Sequence, residues 1–103
     1  SSRLIDDPVC IVADEGVSLD MERYMANDPM NKDRAITATK ILEINPNHPI
    51  FNKLHEVSTS SPDKLKEYTD VLYDQALLIE GLPIKNPVEF AKKITNLIVD
   101  AKN

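Results

Sequence analysis

The chain has no tryptophan, one cysteine and two glycines, and each shortage removes a class of function. With Cys10 alone, no intrachain disulfide can form, which fits a reducing, cytoplasmic setting. Gly16 and Gly81 stand isolated, so no glycine-rich loop can cradle a phosphate. Only Phe and Tyr are available to stack on bases, and the basic residues are interspersed among acids within a net charge of -5. Nucleic acid is therefore not an expected partner. No stretch approaches the roughly 18 consecutive apolar residues that span a bilayer, and the amino end lacks a charged-then-apolar signal pattern, so no membrane partner is expected either.

What is present is one domain's worth of sequence. At 103 residues without a composition shift, residues 1–103 are expected to form a single domain. The start at Ser1 and Ser2 rather than methionine suggests a piece of something longer. A chain of this size buries only about two-thirds of its unfolded surface, so surplus apolar faces are a liability unless another chain covers them.

The punctuation predicts an alternation of short elements. Pro8 to Asp14 is a β-branched run that reads as a strand. Ser18 is placed to cap a short helix whose first turn carries Asp20 and Glu22, and Asp28-Pro29 ends it. The polar stretch that follows reads as a loop, and Thr37 to Asn45 as a second strand. Asn45 to Pro49 stops that strand and starts a short helix with Ile50, Phe51, Leu54 and Val57 inward. Residues 58–63, STSSPD, read as a loop and start signal with Ser61 as cap and Pro62 at the first helical position. The long helix from there ends at Gly81, which can take a left-handed conformation. After the turn LPIK, Asn86-Pro87-Val88-Glu89 starts the last helix. The expected order is strand, helix, strand, short helix and a two-helix hairpin.

Catalytic and metal chemistry have little to stand on. His48, His55 and Cys10 invite comparison with a metal site or a nucleophile–base pair, but zinc-knuckle spacing and further ligands are missing, and His48 sits in a turn where its ring can bond backbone. Asp6, Asp7, Asp14 and Glu15 lack the alternating ligand spacing of a calcium loop. No catalytic, cofactor or metal residue is assigned. A small autonomous Cys/His enzyme is kept as the rival reading; it requires a turnover lost on Cys10→Ser.

The apolar surplus is more informative. In the long helix, Leu65, Tyr68, Leu72, Ala76 and Ile79 form one stripe able to dock it on its own domain. Val71, Leu77 and Leu78 are then left over, and each exposed large aliphatic forgoes roughly 1.5–3 kcal/mol of burial. The last helix repeats the excess with Phe90, Ile94, Leu97 and Ile98, beside Val99. Two antiparallel helices with spare faces are half of a four-helix bundle, which a twofold copy completes. Earlier in the chain Val17, Met21, Tyr24 and Met25 share one helical stripe, with Glu22 and Arg23 turned away from it. Such a stripe is either ordinary core or an adaptable, exposed surface.

The segments EINPNHPIFNKL and LYDQALLIEGLPIKNPVEFAKKITNLIV, with IVADEGVSLDMERYM before them, resemble the carboxy-terminal domain of the heat-shock protein 90 chaperone family in its bacterial form. The resemblance covers most of the chain; the stretch PMNKDRAI has no motif to anchor it. It implies an α+β domain with a small, mostly antiparallel or mixed sheet, flanking helices, and a carboxy-terminal hairpin forming a four-helix bundle in a permanent homodimer. It further implies that the parent chaperone is an ATPase in the stress response whose separate amino-terminal domain, absent here, takes ATP and magnesium. No cofactor is expected in this chain, which would have no activity of its own. The expected dimer contacts are Val71, Leu77, Leu78, Phe90, Ile94, Leu97 and Ile98. Val17, Met21, Tyr24 and Met25 match the family's helix that touches unfolded or partly folded client proteins. The ending DAKN differs from the acidic tail that recruits tetratricopeptide co-chaperones, so that partner is not expected.

Overall fold

Two short strands and four helices account for the fold that a computed structural model describes over residues 7–13, 18–26 and 39–101, excluding the side chains of Met25 and Ala26. In chain order they are β1 (Val9–Ala13), α1 (Leu19–Ala26), β2 (Lys40–Ile44), α2 (Pro49–Ser60), α3 (Pro62–Ile79) and α4 (Pro87–Asp100). The class is α+β. Among the described residues the sheet is a single antiparallel pair, with Val9 opposite Ile44 and Ala13 opposite Lys40.

Alternation along β1 sends Val9 and Ile11 into the core and Cys10 to the other face of the sheet, and all three are buried. The Cys10 thiol lies 3.5 Å from the carboxylate of Glu43, its cross-strand partner. The core joins Val9 and Ile11 to Leu54 of α2, to Leu72, Ala76 and Leu77 of α3, and to Leu82 just beyond it. No residue of α4 is buried.

The stop after β2 is built by Asn45, which is buried. Its amide donates to the Asp7 carbonyl at 3.1 Å, and its side-chain oxygen accepts from the Asn47 N–H at 2.9 Å. Both ends of the side chain are satisfied, as burial of an amide demands. His48 then serves as the cap of α2: its Nδ1 accepts from the Ile50 N–H at 3.0 Å, and Pro49 fills the first helical position.

Helix α2 outruns its expected length. The hydroxyls of Ser58, Thr59 and Ser60 donate to the carbonyls of His55, Glu56 and Glu56, so side chains that read as loop formers instead bond back along the helix. Only Ser61 separates α2 from α3, and its side chain makes no cap bond, contrary to its expected role. Phe51, expected inward, is exposed, while Leu54 and Val57 are buried.

Helix α3 ends in a Schellman motif. The Leu82 N–H donates to the Leu77 carbonyl at 2.9 Å and the Gly81 N–H to the Leu78 carbonyl at 3.0 Å, with Gly81 at φ 74°. Leu77 and Leu82, the residues whose apolar contact accompanies this motif, are both in the core. Asn86 caps α4 as its sequence suggests, its side-chain oxygen accepting from the Glu89 N–H at 3.1 Å.

Candidate functional site

Two surfaces carry the residues singled out in the sequence. The first is α1, whose start is fixed by Ser18: the Met21 N–H donates to its hydroxyl at 3.1 Å. This helix is docked by its charged side. Glu22 is 6% exposed, and its carboxylate meets the Lys40 ammonium at 2.8 Å. Arg23 donates from Nε to the main-chain carbonyl of Glu80 at 2.6 Å and from Nη2 to the Glu80 carboxylate at 3.2 Å, while Nη1 meets Asp20 at 2.7 Å. Leu19 is the described apolar side chain of α1 that packs against the core.

With Glu22 and Arg23 inward, Met21 and Tyr24 of the apolar stripe face out. Met21 is 53% and Tyr24 69% exposed. Met25 is in the same helix, and Val17 lies outside the described residues, as do residues 27–38, which contain the expected loop. The stripe is thus displayed surface at Met21 and Tyr24. The sequence pattern located it but could not assign its direction, because periodicity separates two faces without saying which is covered.

The second surface is the α3–α4 hairpin, where the expected division of residues needs correction. Val71 and Leu77 are buried by the chain itself, so neither is surplus; Ile79, expected to help dock α3, is about half exposed. The way the helix ends accounts for Leu77 and Ile79. The Schellman closure pulls Leu77 inward against Leu82, and Ile79 follows two residues later, roughly 200° around the axis. Leu78 is exposed, as expected, at 51%. On α4, Phe90, Ile94 and Leu97 are half-buried, whereas Ile98 is 71% exposed beside the still more exposed Val99.

Between the helices lies an apolar groove of about 330 Å³, with Ile50 on one side, Val71 and Leu72 among its inner lining, and Ile94 and Leu97 on the other. Val71 therefore touches this groove without being free surface. Along the hairpin, Lys64 meets Asp100 at 2.6 Å and Lys93 meets Asp70 at 3.3 Å, with Lys66 also on Asp70 at 3.0 Å. Partial burial pushes the Asp70 carboxyl up, but the hydrogen bonds from Lys66 and Lys93 outweigh it and hold the group below the usual carboxylate range. Burial raises Asp74, one turn on, opposed by Lys93 and helped by the charge of Asp70.

Two of the three residues of the rival enzymatic reading are used structurally. Cys10 is buried within the sheet, and His48 has its Nδ1 occupied as a helix cap, while His55 is exposed. Among the described residues no group of three or more His, Cys, Asp or Glu is arranged to hold a metal ion, and no helix is long and apolar enough to cross a membrane.

Comparison with known proteins adds the remaining finding. A family model described as Hsp90 protein matches residues 1–103. The chain is 46% identical over 99 residues to the chaperone protein HtpG of Shouchella clausii, covering 96% of this chain and 16% of that protein. The same figures hold for HtpG of Bacillus subtilis. HtpG of Oceanobacillus iheyensis is 48% identical over 99 residues, again 96% of this chain and 16% of the relative. The chain thus spans 16% of the length of these curated relatives.

Proposed function

Since the chain belongs to the Hsp90 protein family, we propose that it is the homodimerisation domain of an HtpG-type, ATP-dependent chaperone, and that the α1 stripe touches unfolded or partly folded clients. The observation that carries the dimer reading is α4: a helix rich in aliphatic residues, none of them buried, with Ile98 and Val99 facing solvent. Such a helix loses little by separating from its own chain and gains by meeting another apolar face. A second copy related by a twofold axis supplies one, and the two hairpins together make four helices.

The interface is centred on Leu78, Phe90, Ile94, Leu97 and Ile98. Val71 and Leu77 now act from beneath, Val71 in the lining of the groove and Leu77 in the core. The whole of residues 1–103 works as one domain without turnover of its own, in the cytoplasm; ATP and magnesium belong to parts of the parent outside this chain. As a joint, the dimer makes closure of two ATP-binding arms intramolecular, at an effective concentration that linker geometry can bring to about millimolar.

Sedimentation of the protein at micromolar concentration tests the joint. A dimer is expected, with Ile98→Glu or Leu78→Glu shifting it to monomer while the helical circular dichroism is kept. A monomeric unsubstituted protein, or an Ile98→Glu, Leu78→Glu double variant that remains fully dimeric, removes the proposal.

A further inference from the structure

Met21 and Tyr24 face outward while the opposite face of the helix is fastened by charge, and the fastening point is specific. Arg23 does not only pair with a carboxylate. Its Nε reaches the main-chain carbonyl of Glu80, the residue immediately after α3, one before Gly81. Carbonyls at a helix carboxy-terminus lack intrahelical donors and lie at the negative end of the helix dipole, so a guanidinium there is favoured twice, by hydrogen bonding and by charge. The planar fork of Arg engages carbonyl and carboxylate together, and a Lys ammonium cannot reproduce that geometry.

Elsewhere on α1, Leu19 packs on the core and Glu22 pairs with Lys40 at the start of β2, and among the described side chains of the helix no apolar one is fully buried. The direction of the Met21–Tyr24 surface is consequently set by polar geometry, with the hairpin turn as reference point: the Arg23 side chain lies 3.6–3.7 Å from where a Cβ on Gly81 would sit.

We infer that Arg23 is a positioning residue for the client surface: by gripping the carboxy-terminal end of α3, it holds Met21 and Tyr24 facing outward at a fixed angle to the hairpin. This rests on the reading that the stripe touches clients. If the gripped state is the binding-competent one, releasing the grip lowers its population, and apparent affinity falls by the same fraction. A fall to between about a third and a tenth raises the dissociation constant about 3- to 10-fold. Arg23→Lys should behave like Arg23→Gln rather than like the native protein, because the charge alone is not the grip. Glu80→Gln, which keeps the main-chain carbonyl, should have a smaller effect.

The experiment uses the full-length protein and a permanently unfolded probe, reduced and carboxymethylated α-lactalbumin, with amide hydrogen exchange and sedimentation alongside. The expected result is weaker probe binding and faster exchange confined to α1 in Arg23→Gln and Arg23→Lys, with the dimer intact. Met21→Ser with Tyr24→Ser should also weaken binding, but without faster exchange in α1. Loss of binding in the stripe variant with native binding and exchange in Arg23→Gln overturns the grip and leaves the client reading standing. Native binding in the stripe variant overturns the client reading and, with it, the assignment of Arg23 to client positioning. Native exchange of α1 in Arg23→Gln refutes the grip whatever the probe does.

Discussion

Helices α1 and α3 are buried by opposite kinds of side chain. Helix α3 turns Val71, Leu72, Ala76 and Leu77 inward, and its lysines and acids outward. Helix α1 turns Glu22 and Arg23 inward and displays Met21 and Tyr24. Which face is covered is decided by the surroundings. Facing α3 are β1 and α2, with Val9, Ile11 and Leu54; near α1 are Lys40 and the end of α3, with a cation and a helix-terminal carbonyl. The two attachments differ in strength. Each large aliphatic buried in α3 contributes about 1.5–3 kcal/mol, while a buried ion pair roughly balances its own desolvation. Helix α3 supplies stability, and α1 supplies a direction.

The sharpest way to break this contrast is to truncate one residue on each helix. Leu72→Ala should cost about 2–5 kcal/mol through lost burial and a residual cavity, read as a lower urea midpoint at unchanged slope. Met21→Ala and Tyr24→Ala should each stay within about 0.5 kcal/mol. Equal losses on the two helices would erase the distinction.

A smaller effect is expected from the charged face. Lys40→Met removes a partner from the buried Glu22 carboxylate and should destabilise on the order of 1–3 kcal/mol, measured by the same urea titration. Glu22→Gln with Lys40→Met should recover part of that loss, because the buried side chain at position 22 then carries no charge. A double variant worse than the single one would mean that α1 contributes more to stability than its polar attachment allows.

The smallest effect is the acid response of the hairpin. Asp70 has its folded-state value depressed by Lys66 and Lys93, so its contribution is present above the ordinary carboxylate range and is lost as pH falls through the lowered folded value. Asp74, raised by burial, has the opposite sign: its penalty is absent at low pH and grows as pH rises from the ordinary range through the raised folded value. Both groups are substantially solvated, and the net change should be well under about 1 kcal/mol. Asp70→Asn should flatten the acid side of a stability–pH curve, and an unchanged curve would remove the ion pair from any role in holding α4.

Much of this was legible in the sequence. The element order followed from punctuation, since Ser18, Pro49, Pro62, Gly81 and Asn86 each sit at a helix boundary in the structure. Residues 58–60 misled because Ser and Thr hydroxyls serve loops and helix back-bonding equally. Leu82 was missed inside a turn, although a leucine directly after a helix-ending glycine is the mark of the motif that buries it. Val71 and Leu77, read as surplus to the domain, are buried within the chain, and one reason covers both. Helical spacing ranks positions around an axis, but the width of the covered arc depends on how many neighbours pack against it. The inward pair Glu22 and Arg23 was invisible because their partners, Lys40 and Glu80, lie 18 and 57 residues away.

The charges that cross the hairpin also act as a register gauge. The seam between α3 and α4 is lined by Val71, Leu72, Ile94 and Leu97, and an aliphatic seam alone would tolerate a slip of one helical turn, about 5.4 Å. Such a slip in one sense would set Glu89 against Asp70, acid on acid, and Asn96 against Lys64; in the other sense Leu97 would replace Lys93 opposite Asp70. The native alignment is the one that satisfies both Asp70 and Lys64. Weak pairs that add little to folding can in this way select one vertical setting of α4, and with it the height at which Ile98 is offered to whatever lies beside it.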